Sequence, residues 1–418
     1  MQDIARICAN VDDSRLWQRH QNLAAIGATA KGGVNRQALT AEDIQSRRLL
    51  VDWAIALGFS VFIDEIGNMF IRRRGRNNSA APVLTGSHID TQPTGGRFDG
   101  IYGVLAGCEA LEAIESVGVT TEHPLEVAIW TNEEGSRFPP GCMGSSVFAN
   151  PKRLPEMLAV SDQEGVSVAS ALRALREAFP DVQPRSFGWP VKAFVEAHIE
   201  QGSQLEMAEC TIGVVTGIQG LLRFDVDIEG EEGHAGTLPR TKRKDALSTF
   251  VALVSALELQ TQDNTDTTRF TVGRAVIYPN APAVVPGRVC FTIDLRHPDA
   301  EVLKMLGERI RSECARFTQR CRVSVSQTAY FSPVHFDALV PNAVTAAVVR
   351  QNLPSMRIVS GAVHDAQHLH RICPAGMIFV PSERGISHNE AESSSPQDLA
   401  AGTRVLTEVL VALAKPAE

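Results

Sequence analysis

The segment LEVAIWTNEEGSRF, residues 125–138, runs from an apolar stretch into two adjacent carboxylates, Glu133 and Glu134. The run 125–130 has the length and composition of a buried strand. Two neighbouring carboxylates at such a strand end repel each other. Desolvation adds to the cost unless something positive lies nearby.

Three further apolar runs end in polar residues of the same kind. VLTGSHID (83–90) delivers His88 and Asp90, KAFVEAHIEQ (192–201) delivers His198, Glu200 and Gln201, and MIFVPSERGISHNE (377–390) delivers His388. GGRFDG (95–100) sets Asp99 among glycines. In open α/β sheets, ligands bind beyond the carboxyl ends of the strands. Histidine mixed with carboxylate suits zinc, manganese, cobalt or nickel better than calcium. The candidates outnumber the protein ligands of one catalytic metal, so two divalent ions sharing a carboxylate fit the set better. Asp99 is the natural bridge, because its glycine neighbours let the backbone come close. Each residue alone has a plainer reading. A lone histidine after a strand is usually structural, an acidic pair is usually a solvated loop, and Asp90 suits a turn. Their joint occurrence at successive strand ends favours the metal site. His364, Asp365, His368 and His370 form a second patch, read either as structural or as support for the ligands. His20, His123, His297 and His335 read as surface or packing residues.

The rest of the chain supplies a frame. Its 418 residues, net charge of -8 and 44% hydrophobic content allow two domains, each with a core. No run of about 18 apolar residues suggests a membrane span. The first twenty residues lack the apolar core of a secretory signal, so a cytoplasmic protein is expected. The eight cysteines are scattered without a CxxC pair and read as free thiols. The acidic balance argues against nucleic acid as a partner. Thr40 is placed to cap a helix that runs through Leu57 and stops at Gly58. Strands and helices then alternate up to about residue 212. From Gly213 the texture changes. LLRFDVDIEG, TRFTVGRAVIYP and GRVCFTIDLRH read as amphipathic strands, with helix candidates over 244–260 and 300–317. Buried-strand texture returns at GMIFVPS, and a last helix starts near Pro396. The expected fold is α/β: a mixed-sheet di-metal domain of residues 1–212 and 329–418, interrupted by a smaller α+β domain over 213–328.

The motifs GSHIDTQPTGGRFDGIYGVLAG, TNEEGSRFPPGCMGSSVF, EAHIEQG, GHAGT, DLRHPD and MIFVPSERGISHNEAE span nearly the whole chain. They strongly resemble the amidase, hydantoinase and carbamoylase family. That family includes N-carbamoyl-L-amino acid hydrolases, β-ureidopropionases and allantoate amidohydrolases, within the wider di-zinc aminoacylase and carboxypeptidase superfamily. The resemblance implies that His88 and His198 hold one metal, Glu134 and His388 the other, with Asp99 bridging. It implies that Asp90 orients His88 and that Glu133 is the general base. It implies a homodimer formed through the inserted domain, which would also close as a lid. His234, in GHAGT, would reach the partner subunit's site and stabilise the tetrahedral intermediate. Arg296 would grip the carboxylate of a small-molecule substrate, which Gln201 would also contact.

The chain departs from the family pattern in three places. PNAPAVVPG has Ala283 where the family often has asparagine, leaving Asn280 nearby as a substrate-binding candidate. HAGTLPR has Leu238 and Arg240 where the family has HAGTTPM, and SGAVHD has Val363 where glycine is usual. Arg240 either adds a positive charge favouring a second acidic group on the substrate, or points to solvent beside Lys242, Arg243 and Lys244. The expected activity is hydrolysis of linear N-carbamoyl amino acids or related ureido acids to amino acid, ammonia and carbon dioxide. An N-acyl amino acid or dipeptide hydrolase is the nearest alternative. A catalytically dead, metal-stabilised binding protein is disfavoured by the retention of Glu133.

Overall fold

Leu125–Trp130 is a strand buried along its whole length, and so are Val83–His88, Ala193–Ile199 and Ala375–Val380. These four lie side by side and parallel, in the order 125–130, 83–88, 193–199, 375–380. A parallel sheet covered on both faces needs continuous apolar runs rather than alternation, which is the pattern these segments carry. Antiparallel strands flank the quartet. Met69–Arg73 pairs with 125–130 and Ser60–Ile63 lies beyond it, while Ile212–Ile218 pairs with 375–380 on the other side. All four parallel strands send their carboxyl ends the same way, so the loops that follow them meet at one edge.

In this computed structural model residues 2–415 are described; Met1 and residues 416–418, at the ends of the expected catalytic domain, lie outside them. Helices Ile101–Ser116 and Pro396–Leu413 pack on each other and on the sheet. A Cβ at Gly103 would overlap the Ala197 carbonyl oxygen, so glycine is what lets helix 101–116 lie this close to the strands. Phe70, Trp130, Phe148 and Trp189 pack their rings together around the end of the strand at Trp130. Thr40 caps Ala41–Ala56 by accepting the Asp43 amide at 3.4 Å.

The chain divides into two compact units, residues 1–216 with 336–418, and residues 217–335. The smaller unit is an antiparallel sheet in the order Arg269–Tyr278, Arg288–His297, Gly220–Glu229, Arg322–Phe331, with helices Ala246–Thr261 and Ala300–Arg316. Alternate residues of its strands, such as Phe224, Val226, Ile228, Phe291 and Ile293, meet Leu253, Leu257, Leu303 and Ile310 in its own core. The divisions fall after 216 and 335, not after 212 and 328 as the sequence reading placed them. Strand 322–331 went unrecognised there because it is an edge strand with most of its side chains exposed, so its alternation is weak.

The close approach at Gly103 positions everything that precedes helix 101–116. Gly103→Ala is expected to destabilise the protein by about 1–3 kcal/mol through overpacking, read as a lower midpoint of denaturant unfolding.

Candidate metal centre

His88 closes the strand Val83–His88, and His198 is the penultimate residue of Ala193–Ile199. Asp99 stands just before helix 101–116. Gly100 caps that helix with φ 67°, and a Cβ there would overlap the His88 ring, so the position requires glycine on both counts. The two oxygens of Asp99 face different partners. Oδ1 lies 3.3 Å from His198 Nε2 and 3.9 Å from His88 Nε2, while Oδ2 lies 3.2 Å from His388 Nε2. His388 Nε2 is in turn 3.3 Å from Glu134 Oε2. Two trios that could hold a metal ion share Asp99, His88–Asp99–His198 and Asp99–Glu134–His388; a third such group, Glu196–His198–His364, lies on the other side of His198.

The donor set suits cations. His88 Nδ1 lies 2.9 Å from the Asp90 carbonyl oxygen, and His198 Nδ1 lies 2.9 Å from that of Ile199. A ring nitrogen facing a carbonyl carries the proton, so each Nε2 is the unprotonated nitrogen; that of His198 accepts the Gly100 amide at 3.2 Å. Burial pushes the His88 pKa down to about 4 and lowers that of His198, which keeps both rings in the neutral, ligating form. Burial pushes Glu134 up to about 8, with Asp99 adding to the effect. The hydrogen bond that His388 donates to Asp99 raises the His388 pKa to about 9. Asp90, Asp99, Glu133, Glu196, Asp365 and Glu392 are all buried around the centre. So many desolvated acids in one place call for positive charge, which divalent ions supply.

The acidic pair is separated by its loop. The strand ends at Trp130, and Asn132 adopts φ 56°, so strand alternation does not set the two side chains apart. Instead the Asp90 carboxylate holds the turn. Its Oδ1 accepts the Glu133 amide and its Oδ2 the Glu134 amide, each at 3.1 Å. Asp90 meets the His88 ring through its main-chain carbonyl, 2.9 Å from Nδ1, whereas its carboxylate stays 3.8 Å from the ring. The side chains then diverge. Glu134 turns to His388 and accepts the Gln92 side-chain amide at 2.7 Å. Glu133, 9% exposed, places Oε2 3.5 Å from His88 Nε2 and Oε1 3.2 Å from Cys142 Sγ. Burial, then Asp365, raise its pKa well above the usual carboxylate range.

Gln201 leans on the shared carboxylate, donating from Nε2 to Asp99 Oδ2 at 3.1 Å. Gln92 and Glu392 are supports that sequence reasoning missed. Glu392 Oε1 accepts the amides of Phe98 at 2.9 Å and Asp99 at 3.0 Å, and its Oε2 accepts the Ser387 hydroxyl at 3.0 Å. The available signals were an amide two residues after Asp90 and an acid four residues after His388. In the second histidine patch, the His364 ring packs 4.5 Å from His198 and its Nε2 meets Ser360 Oγ at 2.9 Å. Glu196 is satisfied by Ser87 and the Ala366 amide. His364 and Glu196 therefore buttress His198. His20 is buried against the Phe98 and Tyr102 rings.

The smaller unit carries the remaining candidates. His234 Nδ1 accepts the amides of Gly236 at 3.0 Å and Thr237 at 3.2 Å, so Nε2 is the protonated nitrogen and a donor. Arg296 Nε donates to Asp294 Oδ1 at 2.8 Å. Asn280 and Arg240 are exposed. Arg243, by contrast, is turned onto the carbonyls of Leu238 and Ala235.

The profile of the peptidase family M20/M25/M40 matches residues 84–412. The chain belongs to that family. M20 proteins are metal-dependent hydrolases, in keeping with the ligand trios at Asp99. The N-carbamoyl-L-amino-acid amidohydrolase of Rhizobium meliloti is 37% identical, covering 98% of each chain. The allantoate amidohydrolase of Bacillus subtilis is 35% identical over 94% of this chain and 95% of its own. A solved amidase of the hydantoinase/carbamoylase family from Burkholderia multivorans superposes with a TM-score of 0.93 at 44% identity, covering 98% of this chain and 99% of its own.

If Asp90 and Gln92 hold the acid pair in register, removing either weakens the centre without unfolding the domain. Asp90→Asn and Gln92→Ala are each expected to lower metal affinity or turnover by about 10–100-fold, measured by metal content after dialysis and by steady-state rates.

Proposed function

We propose that this protein is an amidohydrolase that cleaves the C–N bond of linear N-carbamoyl amino acids or related ureido acids, releasing amino acid, ammonia and carbon dioxide. The observation that carries the reading is the divergence of the acid pair. Glu134 faces the ligand trio with His388, and Glu133 holds a free carboxylate oxygen beside His88. The relatives named for N-carbamoyl-L-amino acids and allantoate favour ureido compounds as the substrate class.

In this reading His88 and His198 would hold one divalent ion and Glu134 and His388 a second, with Asp99 available to both; zinc, manganese, cobalt and nickel all suit the set. Bound there, such ions would supply Lewis acidity and a lower pKa for water. Glu133 accepts the proton of the attacking water at Oε2 and returns it to the departing nitrogen. Its burial raises its proton affinity, which suits it to both transfers. His234 donates from Nε2 to the oxygen that gains charge as the carbonyl becomes tetrahedral. Arg296 pairs with the substrate carboxylate, and Gln201 and Asn280 help fix its register.

The protein works as a homodimer through the smaller unit, which has exposed Val276 and Tyr278 on one edge strand and Tyr330 and Phe331 on the other. It is a cytoplasmic enzyme. All eight cysteines are free, and no described helix is long and apolar enough to cross a membrane.

Glu133→Gln is expected to retain its metals and lose turnover by about 10²–10⁴-fold. Wild-type turnover in that variant would remove Glu133 as the base. Across N-carbamoyl, N-acetyl and N-formyl amino acids, β-ureidopropionate and allantoate, ammonia release is expected from the ureido members. A preference for the N-acyl substrates would replace the ureido reading. Arg240→Ala is expected to lower the ratio of kcat/KM for acidic over neutral substrates; an unchanged ratio means Arg240 faces solvent.

A further inference from the structure

We infer that Cys142 is a positioning residue for Glu133: its thiol, backed by the Gln367 side-chain amide, holds one carboxylate oxygen so that the other stays turned toward His88. The inference rests on the reading of Glu133 as the base. Cys142 is 1% exposed and grips Glu133 twice. Its amide donates to the Glu133 carbonyl at 2.7 Å, and its Sγ lies 3.2 Å from Glu133 Oε1. The next two residues continue the stitching, Met143 N to Asn132 O at 3.1 Å and Gly144 N to Thr131 O at 2.8 Å. The segment that carries the thiol is thus laced to the loop that carries the base. On the far side of the sulfur, Gln367 Nε2 lies 3.5 Å from Sγ and 3.3 Å from His368 Nε2. The amide has two hydrogens, one for each acceptor, so the sulfur accepts from Gln367 and its own proton points to Glu133.

A thiol suits the task. Its donor is weak and its sulfur polarisable, so it sets the direction of the carboxylate while leaving most of the negative charge uncompensated. The acids Asp365, Glu134 and Asp90 repel the Glu133 carboxylate. Cys142 donates to Oε1, while Oε2 faces His88, so the thiol restrains the carboxylate's rotation. Gln367 belongs to the helix Ala366–Leu369, so the grip ties the 133–142 loop to a segment more than two hundred residues away in sequence.

Cys142 adopts φ 49° and ψ 33°, where a β-branched replacement would be strained, so alanine and serine are the informative substitutions. Cys142→Ala is expected to lower kcat about tenfold, with KM, metal content and Tm close to wild type. Cys142→Ser, which restores a donor on the same backbone, recovers most of that loss, and Gln367→Leu lowers kcat by about threefold. In a Glu133→Asp background the carboxylate is one methylene short of the thiol, and Cys142→Ala then changes kcat less than about twofold. A Cys142→Ala enzyme with wild-type kcat overturns the inference. So does an equal loss in both backgrounds, or a loss that serine does not relieve. Full activity of Glu133→Gln would instead defeat the base on which the inference rests.

Discussion

Every feature of the larger unit's site depends on one buried carboxylate serving two directions at once. Asp99 Oδ1 faces His88 and His198, and Oδ2 faces His388. That demand fixes the surroundings. The carboxylate must approach the sheet edge closely, which Gly100 permits by leaving room for the His88 ring. Its backbone must be held, which Glu392 does through the amides of Phe98 and Asp99. The helix that follows must lie flat on the strands, which Gly103 allows. Low dielectric strengthens each of these contacts and makes an uncompensated charge there costly.

The adjacent acids at 133 and 134 follow the same logic. Left to themselves they would repel, and burial raises the proton affinity of both. Asp90 anchors both of their amides, Gln92 and His388 take one side chain, and Cys142 takes the other. Neighbouring residues with the same chemistry thereby meet different environments, on which the two roles proposed for them rest.

Much of this was legible in the sequence, for physical reasons. Parallel strands buried on both faces leave continuous apolar runs, so the segments ending in His88, His198 and Glu133 stood out, and glycines around Asp99 marked a close approach. What depended on loop conformation did not. Nothing in the string shows that Asn132 turns to φ 56° or that the Asp90 carboxylate accepts both amides of the acid pair. Cys142 is a lone cysteine among eight and reads as packing until its neighbours are placed. Strand 322–331, exposed on most of its length, carries too little pattern to bound the smaller unit.

In the proposed function Asp99 serves two cations rather than one. Metal-free protein titrated with zinc, with stoichiometry read by calorimetry and elemental analysis, tests it directly. About two ions per chain are expected for the wild type and about one for His388→Ala, which removes a member of one trio only. A wild-type protein that binds a single ion, or a His388→Ala variant that still binds two, would contradict it.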